Sequence, residues 1–88
     1  MTESKRVLFE FNAAPGSEVY VAGTFNDWNP AANPLKANSN KGHFKAALSL
    51  PKGTYEYKFI VNGQWLIDPR NDKSVPNAAG SFNNVLRV

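Results

Sequence analysis

The chain has 88 residues, with ten Lys and Arg against seven acids, a net charge of +3, one His and no Cys. This composition leaves no thiol nucleophile, disulfide or Cys-based zinc site, and the lone His43 is too few for a metal cluster, so no cofactor is expected. With 42% hydrophobic and 12% aromatic residues, the chain can build one core that buries roughly 60 to 65% of its unfolded surface, and a single domain over 1–88 is expected.

The basic residues are scattered, with no run longer than Lys5-Arg6, so the stripe of cations and aromatics that a nucleic acid needs is missing. No segment approaches the ~18 to 20 consecutive apolar residues of a membrane helix, and the first residues lead into alternation instead of an apolar signal run. A soluble, cytoplasmic chain is the expectation. Opening on Met1 and closing on a strand at Val88, it fits either a free-standing protein or a piece of a larger one.

Residues 5–12 alternate, with Val7, Phe9 and Phe11 on one face of a half-buried strand and Leu8 as an apolar exception on the other. Ala13-Ala14-Pro15-Gly16 is a turn. Residues 17–23 return as a strand, with Val19 and Val21 on one face and Tyr20 and Ala22 on the other. Residues 24–40 fit neither helical nor strand periodicity and read as a structured loop, with Phe25 tucked beneath it and Trp28 presented. In residues 42–50, Phe44, Ala46, Leu48 and Leu50 point inward, while His43, Lys45 and Ser49 point outward.

Pro51-Lys52-Gly53 turns the chain into a hairpin over 55–67. Asn62-Gly63 at its tip signals a type I′ turn, whose two central residues both need positive φ. That turn sets Val61 opposite Gln64, Ile60 opposite Trp65, Phe59 opposite Leu66 and Lys58 opposite Ile67. One face then carries Tyr55, Tyr57, Phe59 and Leu66 and reads as core. The other carries Lys58, Ile60, Trp65 and Ile67, a mixture suited to a flat polar ligand with apolar patches. Asp68-Pro69 closes the second arm, residues 70–80 read as loop, and residues 82–88 form a last strand with Val85 and one of Leu86 and Val88 turned inward. No helix longer than a turn is expected. Turn signals every eight to twelve residues indicate an all-β, immunoglobulin-like antiparallel sandwich of about six to eight short strands.

Catalysis has little support. Asp27, Glu56, Asp68 and Asp72 are the candidates for a glycosidase pair, but nothing holds two of them at the ~5 to 9.5 Å that such chemistry requires. They read as solvated carboxylates or turn formers, and the chain is not expected to be an enzyme. Binding is better supported. A sugar ring has apolar C–H faces that stack on exposed aromatics and polar edges that need Asn, Lys or hydroxyl partners. Trp65 beside Lys58, Trp28 in a polar loop and Asn83 near the last strand supply that mixture. The competing reading places both Trp residues in the core, since Trp is usually largely buried.

Three stretches taken together resemble the signature blocks of the family 48 carbohydrate-binding modules: Gly23-Thr24-Phe25-Asn26-Asp27-Trp28-Asn29-Pro30, then Tyr57 to Trp65 with Asp68-Pro69, then Gly80-Ser81-Phe82-Asn83-Asn84-Val85. That family includes the glycogen-binding domain of the AMP-activated kinase β subunit and the N-terminal domains of isoamylases and branching enzymes. The resemblance covers about residues 5–88. It implies an early-set immunoglobulin-like sandwich that binds α-1,4-linked glucans such as glycogen, starch or maltooligosaccharides, in partnership with a glycogen- or starch-metabolising enzyme. It also implies Trp28 and Trp65 as stacking platforms, Lys58 as a donor to sugar hydroxyls, Asn83 at the glucose edges, and Ser81 where the kinase type has Thr. Ala79 stands where the kinase type has a bulky Leu, which implies weaker binding or an altered preference among linear and branched chains. The alternative is an early-set scaffold domain that uses the same outward face for a partner protein in a larger amylolytic or kinase-type assembly.

Overall fold

The computed structural model describes residues 3–37 and 41–88; Met1 and Thr2 of the expected domain, and positions 38–40 of the expected loop, lie outside them. The chain runs β1 (Ser4–Asn12), β2 (Val19–Gly23), a one-turn 3₁₀ helix (Thr24–Asn26), β3 (Pro34–Ala37), β4 (His43–Pro51), β5 (Thr54–Val61), β6 (Gln64–Leu66), β7 (Ser74–Pro76) and β8 (Phe82–Arg87). All pairings are antiparallel, in the order β1-β4-β3-β2-β5-β8-β7, with β6 attached to β5. β3 pairs with both β4 and β2 and so joins the two layers of a curled sandwich.

The core forms where the inward faces of β1 and β4 meet those of β2 and β5. Phe9, Phe11, Phe44 and Leu50 pack there against Val19, Val21, Tyr57, Phe59 and Val61. Phe59 sits at its centre, 5.0 Å from the Phe11 ring, 5.8 Å from Tyr57 and 6.4 Å from Phe9. Each fully buried aromatic or branched side chain contributes about 1.5 to 3 kcal/mol. Leu8, on the opposite face of β1, is exposed. Phe25 is tucked under its loop, 5.5 Å from the Phe9 ring and 6.2 Å from Tyr55.

The hairpin forms as its turn dictates. Asn62 and Gly63 have φ of 51° and 83°, and Val61, Ile60 and Phe59 pair with Gln64, Trp65 and Leu66. The Asn62 side chain also straps the turn to the segment before β2, accepting from Glu18 N at 2.9 Å and donating to Ser17 Oγ at 3.3 Å.

The structure departs from the sequence expectations in several places. The segment 24–40 is not all loop, because Leu35 turns into the core and its short strand β3 bridges the layers; a four-residue strand that opens on Pro34 shows too little alternation to register. Residues 70–80 contain β7, a three-residue edge strand whose Pro76 is tolerated because an edge needs no second ladder. Ile67 does not pair with Lys58, since β6 ends at Leu66. Val85 points outward while Leu86 and Val88 pack on the core, because the inward position two residues earlier belongs to a polar side chain, Asn84. His43 keeps the outward face expected of it, but it is half-buried at the start of β4 and meets Glu10 at 3.0 Å; Glu10 in turn pairs with Arg70 at 3.2 Å.

Asn84, only 1% exposed, belongs to a polar network that bolts the 68–73 connection to the sheet. Its Oδ1 accepts from Asp68 N at 2.6 Å and its Nδ2 donates to Asn71 O at 3.1 Å. Tyr57 donates its hydroxyl proton to Asp68 Oδ2 at 2.8 Å and accepts from Asn71 Nδ2 at 3.2 Å, while Arg70 N donates to Asp68 Oδ1 at 2.9 Å. Asp68 is thus a buried acceptor and not the simple turn former expected. Burial above all pushes the Tyr57 hydroxyl well above its ordinary value of 10.0; the hydrogen bond from Asn71 partly offsets this, and Asp68 adds to it by its bond and its charge.

The folded chain therefore holds the Tyr57 proton more tightly than the unfolded chain does. The resulting stability is complete below the ordinary value of 10.0 and is lost as pH rises above it. Urea unfolding of wild type and Tyr57→Phe from about pH 9 to about pH 11 should show the stability gap between them narrowing, by up to ~1.4 kcal/mol per pH unit. A constant gap would contradict the assignment.

Candidate functional site

The candidate site lies on the outward face of β5, where that strand's edge changes partner. Residues Thr54 to Tyr57 pair with β8, residues Phe59 to Val61 pair with β6, and the changeover falls at Lys58. β2 occupies the other edge over Tyr57 to Val61. Asp68 N, drawn to Asn84 Oδ1, takes the chain out of the ladder just after Leu66, and the shortened β6 leaves an opening beside Lys58. Trp65, Lys58 and Asn83 come from three different strands to border it.

Ala22 and Ile60 also face this side by alternation, yet they are 0% and 5% exposed. The loop after β2 begins two residues beyond Ala22. That loop carries Trp28 in a fixed posture. Gly23 N donates to Asn26 Oδ1 at 3.0 Å, Asn26 Nδ2 donates to Val21 O at 3.2 Å and to Asn33 Oδ1 at 2.6 Å, and Trp28 N donates to Gly23 O at 2.9 Å. Asp27 and Trp28 then take successive left-handed conformations, with φ of 55° and 59°. For residues other than glycine these cost of order 1 kcal/mol each, a cost that the Asn26 clamp offsets.

The outcome is a pair of indoles, with Trp28 and Trp65 ring centroids 6.5 Å apart and planes inclined at 45°. Trp65 is 43% exposed, so it is not a core residue. Together with Lys58, Asn77, Ala78, Ala79, Ser81 and Asn83 the two indoles line a cleft of about 450 Å³. All five residues singled out in the sequence, Trp28, Lys58, Trp65, Ser81 and Asn83, thus border one cavity, and so does Ala79. Lys58 Nζ donates to Ser81 Oγ at 3.3 Å, which leaves two ammonium protons free to point elsewhere. Asn83 is 8% exposed. It donates to Glu56 Oε1 at 3.0 Å and accepts from Asn77 Nδ2 at 2.9 Å, so it forms part of the floor and keeps only its remaining hydrogen-bonding capacity for a ligand.

Asn77 and Ala78 were missed in the sequence. An Asn three residues before a Gly is an available turn signal, but within 70–80 nothing in the pattern ties that turn to Trp65. Stacking surfaces with a few convergent donors suit a ligand that has apolar faces and hydroxyl edges. Of the carboxylates considered for catalysis, Asp68 and Glu56 are engaged as described, Asp27 sits at the left-handed end of the 3₁₀ turn, and Asp72 is exposed. Among the described residues no group of three or more His, Asp or Glu side chains could hold a metal, and no helix is long and apolar enough to cross a membrane.

Residues 5–88 match the family described as the glycogen recognition site of AMP-activated protein kinase. Over 73 residues, 83% of this chain, the sequence is 42% identical to 5'-AMP-activated protein kinase subunit beta-1 of Sus scrofa, of which it covers 56%. The same subunit of Homo sapiens is 42% identical over 73 residues, with 25% of its length covered. Subunit beta-2 of Mus musculus is 38% identical over 73 residues, with 26% covered. The chain spans between a quarter and just over half of the length of these relatives. It belongs to this glycogen-recognition family, a branch of the family 48 carbohydrate-binding modules.

The Trp28 loop depends on close approach at Gly23, where a Cβ would lie 2.4 Å from Glu56 O, 2.7 Å from the Phe25 ring and 2.9 Å from Tyr57 Cβ. Gly23→Ala should therefore lower the urea-unfolding free energy by roughly 1 to 3 kcal/mol and change the fluorescence of Trp28. Wild-type stability in this variant would mean that the β2 to β5 approach is looser than described.

Proposed function

We propose that this chain, as a member of the glycogen-recognition family, is a single non-catalytic domain that binds α-1,4-linked glucans of the glycogen and starch type in the Trp28–Trp65 cleft. The observation that carries the reading is the pairing of two indoles over one cleft whose rim presents a lysine ammonium. Trp28 and Trp65 stack on the C–H faces of successive glucose rings, and their inclined planes follow the curvature of an α-1,4 chain. Lys58 donates to ring hydroxyls, Ser81 and Asn83 meet the edges, and Glu56 stays behind Asn83 as its anchor. The family's description as a recognition site supports a reading of binding alone.

Contacts this shallow and wet support a dissociation constant of about 10 μM to 1 mM, or ~4 to 7 kcal/mol. Ala79 at the rim in place of a larger side chain favours the weaker part of that range. A cytoplasmic location goes with such a ligand, and the kinase-subunit relatives favour a kinase-type or glucan-metabolising partner.

Calorimetric titration with maltoheptaose and β-cyclodextrin tests the reading. Wild type should bind saturably. Trp28→Ala and Trp65→Ala should each weaken binding by tenfold or more and Lys58→Ala by about fivefold to tenfold, with circular dichroism unchanged in all three. If wild type gives no heat up to millimolar ligand, the scaffold alternative takes over, and its test is capture of a kinase-type partner.

A further inference from the structure

The rim of the cleft is built from residues that burial does not hold. Ala78, Ala79, Gly80 and Ser81, between β7 and β8, are all exposed, and an exposed four-residue stretch opens at little free-energy cost unless hydrogen bonds close it. Here they converge on one side chain. Asn77 Oδ1 accepts from Ala79 N at 3.0 Å and from Ser81 N at 3.0 Å, and Asn77 Nδ2 donates to Asn83 Oδ1 at 2.9 Å. Two backbone N–H groups can be met only by the oxygen of the amide, so this chemistry fixes its orientation. Asn77 N donates to Ser81 O at 2.9 Å, which closes the loop at its base, and Gly80 turns the chain at a φ of 79°.

These bonds reach both polar ends of the cleft. Through Ser81 they set the hydroxyl that receives Lys58 Nζ at 3.3 Å, and through Asn83 they reach Glu56 Oε1 at 3.0 Å. Without the Asn77 oxygen, Ala79 N and Ser81 N turn to water, and only the backbone bonds Asn77 N to Ser81 O and Gly80 N to Asn77 O are left to order the rim. A ligand must then order the rim as it binds.

We infer that Asn77 is a positioning residue for the binding site: its amide oxygen pre-orders the Ala78–Ser81 rim, so that Lys58, Ser81 and Asn83 face an incoming glucan without further ordering. The inference rests on the glucan reading for its ligand, while the clamp itself can be measured without any ligand.

The test compares wild type, Asn77→Ala and Asn77→Asp, by amide hydrogen exchange in the free protein and by calorimetric titration with maltoheptaose. In Asn77→Ala, exchange at Ala79 and Ser81 should accelerate by about tenfold or more. Binding should weaken about tenfold, equivalent to ~1.4 kcal/mol, while the protein stays folded with a modestly lowered urea midpoint. Asn77→Asp keeps an acceptor for both N–H groups but loses the donor to Asn83 Oδ1, so it should hold exchange at Ala79 and Ser81 near the wild-type rates while recovering only part of the affinity. The inference is overturned by wild-type exchange or wild-type affinity in Asn77→Ala, by an Asn77→Asp variant whose Ala79 and Ser81 amides exchange as fast as those of Asn77→Ala, or by unfolding of Asn77→Ala, which would make the residue structural. If wild type itself gives no heat, the glucan reading fails, and the exchange rates at Ala79 and Ser81 still decide the clamp.

Discussion

A strand edge can hydrogen-bond to only one neighbour at any point, and in this chain the edge of β5 passes from β6 to β8 at Lys58. The site follows from that handover. Were β6 as long as β5, it would fill the space where β8 and the β7–β8 loop now stand, and Lys58 would sit in the middle of an unbroken sheet. The three-residue β6 instead leaves room, and the loop from Asn77 to Ser81 approaches Lys58 from the far side. The handover is enforced from inside the fold, because the buried Asp68 and Asn84 pull the chain out of the hairpin ladder and pin it beneath β8. The network that stabilises the connection is therefore also what opens the cleft.

The features legible in the sequence were those encoded locally. Asn62-Gly63 can adopt the two positive φ values of a tight turn, and once it does, strand alternation assigns Trp65 to the outward face and Phe59 to the core without further information. What stayed hidden depended on partners distant in sequence. β3 and β7 are too short to show periodicity and exist because β2, β4 and β8 offer edges to them. Val85 was assigned inward because alternation rules expect an apolar residue there, whereas the buried position belongs to Asn84, whose cost is offset by bonds from and to Asp68 and Asn71. Asn77 passed unnoticed within the 70–80 loop, since its relation to Asn83 and Ser81 depends on the β7–β8 pairing.

The two ends of the cleft are prepared in the same way. On one side Asn26 clamps the loop that carries Trp28, using its oxygen for Gly23 N and its nitrogen for Val21 O and Asn33 Oδ1. On the other, Asn77 clamps the rim that carries Ser81. Asparagine suits this role because a short side chain presents an acceptor and a donor at once and can close a turn of its own backbone. A weak ligand gains most from such preparation, since it has little binding free energy to spend on ordering a loop. Membership of the glycogen-recognition family fits this design: an open aromatic surface with fixed polar rims can hold a repeating polymer wherever along its length it is met.

The central claim is that a glucan occupies the cleft between Trp28, Trp65 and the Asn77–Ser81 rim. The most direct test is a ¹H–¹⁵N correlation titration of the folded domain with maltoheptaose. The account predicts that the indole N–H signals of Trp28 and Trp65 and the amides of Lys58, Ala79, Ser81 and Asn83 shift together along one binding curve, while amides of β1 and β4 stay in place. Shifts concentrated on β1 and β4, with both indole signals unmoved at saturation, would contradict it.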